Sequence, residues 1–458
     1  MAPLPSFLAA FKELIDNNRE KWLEDYYTFL RFPSVSSEPE YKEGMRACAN
    51  WIIELLKGLD FRVELLETSG HPVIFAHYEV DIQKPTLLIY NHYDVQPVDP
   101  LNEWESNPFE PALKGSEVYA RGAQDNKGQC FYVLQALKFY LMQRNFPLNI
   151  KLCIEGEEET GSAGLSMLLE REKERFRADY IAIIDLGLRA PQVPAITLGT
   201  RGIITMDLEV HGSHTDLHSG SHGGIALNPI HVLVEMLASL RNAEGRITIP
   251  GFYDQVQEMQ AEERSSVSFQ FDVAEYQRLT GAYPFGGEKD RSALERAWVR
   301  PTLEINGISG GYSGKGFKTV IPAKAFAKIS CRLVPRQVPE QIGELIKKHL
   351  KEIAPQGVQV NVNVHPGQGR AVRVNLNSKI VKCVSIALQD VFGVPCEYIF
   401  TGASIPIIPE LAAAAGGEVI LMGLGLATDQ IHAPNEHFGV DRLEKGMLVI
   451  MRTLDLLE

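Results

Sequence analysis

A chain of 458 residues exceeds one ordinary hydrophobic core and predicts two domains, one interrupted by the other. Hydrophobic residues make up 45% and charged residues 22%, which excludes disordered and collagen-like architectures. The formal net charge of −13 excludes the basic face that a nucleic-acid surface requires.

Residues 19–58 read as helical, broken by Ser36, Ser37 and Pro39 into two helices. Short apolar runs then alternate with helices. The pattern predicts a strand at 86–90, a helix at 129–143, a strand at 149–154, a helix at 165–175 and a strand at 180–184. That alternation describes a mostly parallel sheet covered by helices on both faces. Near residue 203 the period changes: Met206, Leu208 and Val210 alternate with Asp207 and Glu209, as in a strand with one wet face. A helix at 227–242, strands at 302–308 and 325–334, a helix at 338–353 and a strand at 358–364 complete a β-α-β-β-α-β order, the ferredoxin-like arrangement. Helix 380–391, strand 419–422 and helix 442–457 resume the first pattern. The expected organisation is an α/β domain of residues 1–205 and 376–458, interrupted by an α+β domain at 206–375.

Cys48, Cys130, Cys153, Cys331, Cys383 and Cys396 stand singly with no CxxC pair, which predicts reduced thiols and no thiolate zinc site. The richest apolar stretch, 405–427, is interrupted by Pro406, Pro409, Glu410 and Glu418, so no membrane span is expected. The apolar run 7–11 has no basic segment before it and no small-residue cleavage site after it. A cytoplasmic location is expected.

Several predicted strands run directly into residues that bind metals. His92 and Asp94 follow strand 86–90 and share a face, as an imidazole and an orienting carboxylate would. Asp125 lies in Arg121-Gly122-Ala123-Gln124-Asp125-Asn126, ahead of a helix, where Asp125 or Asn126 as a simple N-cap is the alternative. Glu155, Glu157, Glu158 and Glu159 crowd the end of strand 149–154, and such crowding is repulsive unless cations are present. Asp185 ends strand 180–184, and His432 lies beyond strand 419–422. Two histidines with three carboxylates suit Zn²⁺ or Mn²⁺, and a shared carboxylate suits a pair of ions.

The ordered segments HYDVQPVD, RGAQDNKG, EGEEETGS, IDLG, DLHSG, KTVIP, RLVP, GASIP and HAPNE resemble the two-metal amidohydrolases. That family includes carnosinases, cytosolic nonspecific dipeptidases, aminoacylase and acetylornithine deacetylase. WESNPFEP and the long insert around 245–300 resemble its dipeptidase branch. The resemblance implies one ion on His92 and Asp185, another on Glu159 and His432, and Asp125 bridging them. It also implies a cis peptide at Asp125–Asn126, Asp94 orienting His92, and Glu158 as general acid/base for a hydroxide bridging the ions. The inserted domain becomes a lid that forms a homodimer, with His218 steadying the oxyanion in the partner's site. Arg332 becomes the anchor for a substrate carboxylate, with Thr319, His365 and Ser404 as further substrate contacts. The activity implied is hydrolysis of dipeptides or short peptides. A deacylase of N-acyl amino acids and a catalytically dead binding protein are the alternatives; Asp185 favours the first reading over the deacylase, and the complete ligand set disfavours the last.

Overall fold

The computed structural model of the protein describes residues 6–458, which form two compact units. The first is built on an eight-stranded mixed sheet. Its four central strands are neighbours in the order Asn149–Glu155, Thr86–His92, Tyr180–Ile184 and Glu418–Met422, and all run parallel. They are apolar because both faces are covered, as parallel strands require. Antiparallel pairing is confined to the flanks. Val73–Tyr78 and Arg62–Leu66 extend one side, and Ala195–Thr197 meets Glu418–Met422 through a single pair, Leu421 with Thr197.

Parallel strands end at a common edge, so His92, Glu155, Ile184 and Met422 deliver their loops to one side. Helix Lys127–Gln143 is buried around most of its circumference and packs on the Thr86–His92 strand and on helices Arg19–Arg31 and Val440–Leu456. A helix sheathed on most sides needs no amphipathic stripe, and its apolar residues fall all round it, with Lys127, Gln129 and Gln135 buried among them.

The second unit comprises Gly199–Arg373 and Phe400–Pro406. Its antiparallel sheet has the spatial order Thr302–Gly310, Lys324–Leu333, Gly202–His211, Gln359–Val364. With helices Pro229–Ser239 and Pro339–Ile353 this is the ferredoxin-like arrangement expected from the periodicity. Residues alternate strictly between buried and part-exposed along Gly202–His211, and the buried set packs with both helices.

The boundary lies earlier than the change in periodicity. Gly199 and Thr200 pair with Arg373 and Val372, and the Thr401 amide donates to the Gly199 carbonyl, which ties residues 400–406 to this unit. Such short, distant pairings leave no periodic trace in a sequence.

A candidate two-metal centre

The edge of the first unit's parallel strands gathers five side chains into two groups of three. His92, Asp125 and Asp185 form one group; Asp125, Glu159 and His432 form the other, and within each group the ligand atoms lie within 4.8 Å of one another. His92 Nε2 is 3.2 Å from Asp125 Oδ1 and 3.6 Å from Asp185 Oδ1. His432 Nε2 is 2.9 Å from Asp125 Oδ2 and 3.4 Å from Glu159 Oε2. Asp125 thus turns one oxygen towards each histidine. His92 Nε2 and Glu159 Oε1 are buried without a hydrogen-bond partner. Unsatisfied buried donor atoms converging with a shared carboxylate fit divalent cations in both number and chemistry.

The surrounding contacts fix these ligands. His92 Nδ1 lies 3.1 Å from the Asp94 carbonyl and 3.2 Å from its Oδ1, leaving Nε2 for the centre. The buried Asp94 carboxylate also accepts the amides of Glu158 and Glu159 and the Ser36 hydroxyl. It therefore links His92 to the loop of the acidic run. Asn126 does not cap the helix that follows it. Its amide donates to Asp185 Oδ1 at 2.6 Å, and its oxygen accepts from Asn91. The Asp125–Asn126 peptide is cis. Gln96 donates to Glu159 Oε2 at 2.7 Å.

The four glutamates separate by environment. Glu155 is fully buried, accepting the Tyr90 and Ser162 hydroxyls, and burial raises its carboxyl to about 8. Glu157 accepts the Gly164 amide at the start of helix Ala163–Glu172. Of the four, Glu159, on a one-turn helix, joins a ligand triad, and its neighbour Glu158 feels the charges of His92, Asp185 and Asp125. Gly156 is required at this turn, because a Cβ there would stand 2.4 Å from the Tyr93 ring.

Burial and neighbouring carboxylates shape the electrostatics. Glu158 is raised well above the usual carboxylate range by burial, with Asp185 and Asp125 adding to it and His92 opposing. Burial likewise raises Glu159, followed by Asp125. Burial disfavours a charged His92, yet its contacts with Asp125, Asp185 and Asp94 raise it well above the ordinary histidine range. His432 is raised chiefly by Asp125. This concentration of negative charge holds protons when cations are absent and favours cations when they are present.

Residues 88–456 match the Peptidase family M20/M25/M40. The chain belongs to that family. Its M20 relatives include a Beta-Ala-His dipeptidase of Rattus norvegicus, 34% identical over 93% of this chain and 90% of the relative. A Cys-Gly metallodipeptidase of Schizosaccharomyces pombe is 29% identical over 95% of both chains. Among solved structures, an M20 family metallo-carboxypeptidase from Sulfolobus solfataricus aligns with a TM-score of 0.84 at 35% identity, covering 95% of this chain and 99% of that one.

The remaining expected residues of this M20 chain lie in its second unit. Arg332 donates to the Ser404 hydroxyl at 2.8 Å. His218 pairs with Val320 in a short strand pairing, and the carbonyl of the adjacent Thr319 accepts the Ser219 amide. His218 Nδ1 accepts the Gly220 amide and caps the short helix after it, the arrangement of a plain turn. His365 is held by Asp207 at 2.9 Å.

One contact behind the centre was not assigned from the sequence. The fully buried Glu436 accepts the amides of Gly122, Gln124 and Asp125 and the guanidinium of Arg121. It lies four residues beyond His432, so one side chain ties both loops of the shared triad together. Its place in HAPNE was the only signal in the sequence. His432 and Asn435 both adopt left-handed backbone, at φ 60 and 65. Asn435 is secured by hydrogen bonds with Glu103 and Glu105, which helps hold that conformation.

Proposed function

We propose that this chain hydrolyses the peptide bond of dipeptides, using two divalent cations, Zn²⁺ or Mn²⁺, held by His92, Asp125, Asp185, Glu159 and His432. The observation that carries the proposal is the sharing of Asp125 between two ligand triads, with the part-buried Glu158 near them and in neither. A bound pair of cations supplies Lewis-acid polarisation of the substrate carbonyl and a more acidic attacking water. Glu158 takes the proton of that water and returns it to the leaving amine. Its raised affinity for protons suits both transfers, because a strongly acidic carboxyl would not accept the first. Asp94 holds the Glu158 and Glu159 amides and so sets where both carboxyls stand.

In the second unit, Arg332 is proposed to hold the substrate's carboxylate, since a guanidinium fork suits that group. Thr319, His365 and Ser404 are proposed as further substrate contacts, and His218 as an oxyanion donor reaching a partner subunit. An edge strand, Thr302–Gly310, carrying the exposed Ile305 and Ile308, supports pairing of two such units in a homodimer. All six cysteines are free thiols, which supports a cytoplasmic location. No helix of the described residues is long and apolar enough to cross a membrane.

The relatives named as dipeptidases and the Asp at position 185 support cleavage next to a free N-terminus. The test compares a free dipeptide, its N-acetyl form and N-acyl amino acids under zinc or manganese. Hydrolysis of the free dipeptide with sharp loss on N-acetylation is expected. Preference for the N-acetyl dipeptide would indicate carboxypeptidase action, and preference for N-acyl amino acids a deacylase.

A further inference from the structure

Buried arginines in this protein are paired. Arg121 meets Glu436 at 2.9 Å, Arg300 meets Glu288, and Arg442 meets Asp429. That is the usual condition for a guanidinium removed from water. Arg201 and Arg332 depart from it. Both lie in the second unit, largely or half removed from solvent, and neither forms an ion pair with any carboxylate of the described residues. Burial and the nearby Arg332 charge lower the Arg201 guanidinium to about 10, with Glu304 only partly opposing.

Strand register places the two arginines together. Arg332 pairs with Ile203 on one side and Thr302 on the other, and Arg201 stands two residues before Ile203. Arg201 Nη1 lies 3.5 Å from the Thr302 hydroxyl, across from Arg332, and 3.5 Å from the Arg300 carbonyl, while Nε lies 3.4 Å from the Gly402 carbonyl. These are long, weak contacts for a buried cation. Ser404 bridges the pair: its hydroxyl accepts from Arg332 and donates to the Arg201 carbonyl at 2.5 Å. Two adjacent like charges, partly withdrawn from water and without an ion-paired carboxylate among the described residues, are stabilised together when an external anion joins them.

We propose that Arg201 is a second cationic anchor for the carboxylate end of the substrate, acting with Arg332 and Ser404 as one anion site. This rests on the reading of Arg332 given above. The site explains why two costly charges are kept side by side: a carboxylate entering it meets a pair of partly desolvated guanidiniums tied to the Gly402–Ser404 loop. The alternative is that Arg201 merely props that loop.

The experiment compares kcat/KM for a dipeptide and its C-terminal amide in the metal-loaded wild type, Arg201→Met, Arg201→Lys and Arg332→Met. Arg201→Met is expected to lower the acid-to-amide ratio by about 10-fold or more, mostly through KM, with Arg201→Lys restoring part of it. Equal losses on acid and amide for Arg201→Met overturn the proposal and leave a propping role. If Arg332→Met leaves the ratio intact while Arg201→Met lowers it, the Arg332 assignment fails and that of Arg201 stands. Should Arg201→Met not fold, Arg201→Lys decides: a ratio equal to wild type with KM for the acid unchanged contradicts the anchor.

Discussion

Glu436 and Asp125 are joined by a hydrogen bond from the Asp125 amide to Glu436 Oε1 at 2.9 Å, 311 residues apart in the chain. The same carboxylate receives the Gly122 and Gln124 amides and the Arg121 guanidinium. Every acceptor position is met by a donor, so Glu436→Gln places an NH₂ group against N–H donors and leaves Arg121 without its counter-charge. Metal affinity is expected to fall by about 10–100-fold, as for other residues that orient ligands from behind. Metal retained after dialysis against a weak chelator, measured by elemental analysis, checks this. Retention equal to wild type would mean that the loop needs no such clamp.

Glu158→Gln and Glu159→Gln are neighbours with opposite expected signatures. The first should keep metal near wild-type content and lose about 10²-fold or more in kcat, the loss of a general base. The second should lose metal. Reversed metal contents would shift the assignment by one residue.

Asp94→Asn retains the shape of a side chain that accepts two amides and the Ser36 hydroxyl and faces His92. The charge that orients the imidazole is lost. A decrease of about 10-fold or more in activity is expected, with secondary structure by circular dichroism unchanged. Full activity would show that the Asp94 carbonyl alone orients His92.

Cation binding should release protons. His92 is raised well above the usual imidazole range in the cation-free protein, and His432 is raised too, so both rings hold their protons more tightly than a free imidazole does. A histidine must be neutral to bind a cation, so each ion displaces protons. Apparent affinity therefore rises with pH and falls as the solution is acidified. Titration calorimetry in buffers of differing ionisation enthalpy should report net proton release; zero release at pH 6 to 7 would contradict these shifts.

The paired-subunit role of His218 is tested by mixing. Glu158→Gln and His218→Ala subunits, each inactive, are allowed to exchange. Recovery towards half of wild-type activity per dimer is expected, since one site of the heterodimer is then complete. Confirmed exchange without recovery would leave His218 with the capping contact to Gly220 alone.

Much of the candidate centre was legible because His92, Glu159 and Asp185 end or closely follow apolar strands. The strand that was expected at 180–184 is found at Tyr180–Ile184, and Asp185 follows it directly. What lay hidden depends on contacts across the chain. Asn126 looked like a helix cap and instead serves Asp185, and Glu157 looked like a member of a cation-binding cluster and instead meets a helix amide. The flanking strand Ala195–Thr197 and the Phe400–Pro406 return to the second unit are too short to carry a period.

The central claim is that five residues hold two cations which the reaction requires. Protein stripped with a chelator is titrated with Zn²⁺ or Mn²⁺ while dipeptide hydrolysis and bound metal are measured together. The account predicts no hydrolysis in the stripped protein, recovery on metal addition, and saturation at two ions per chain. Full hydrolysis by the stripped protein, or saturation without bound metal at His92 or His432 as judged by His92→Ala and His432→Ala, would contradict it.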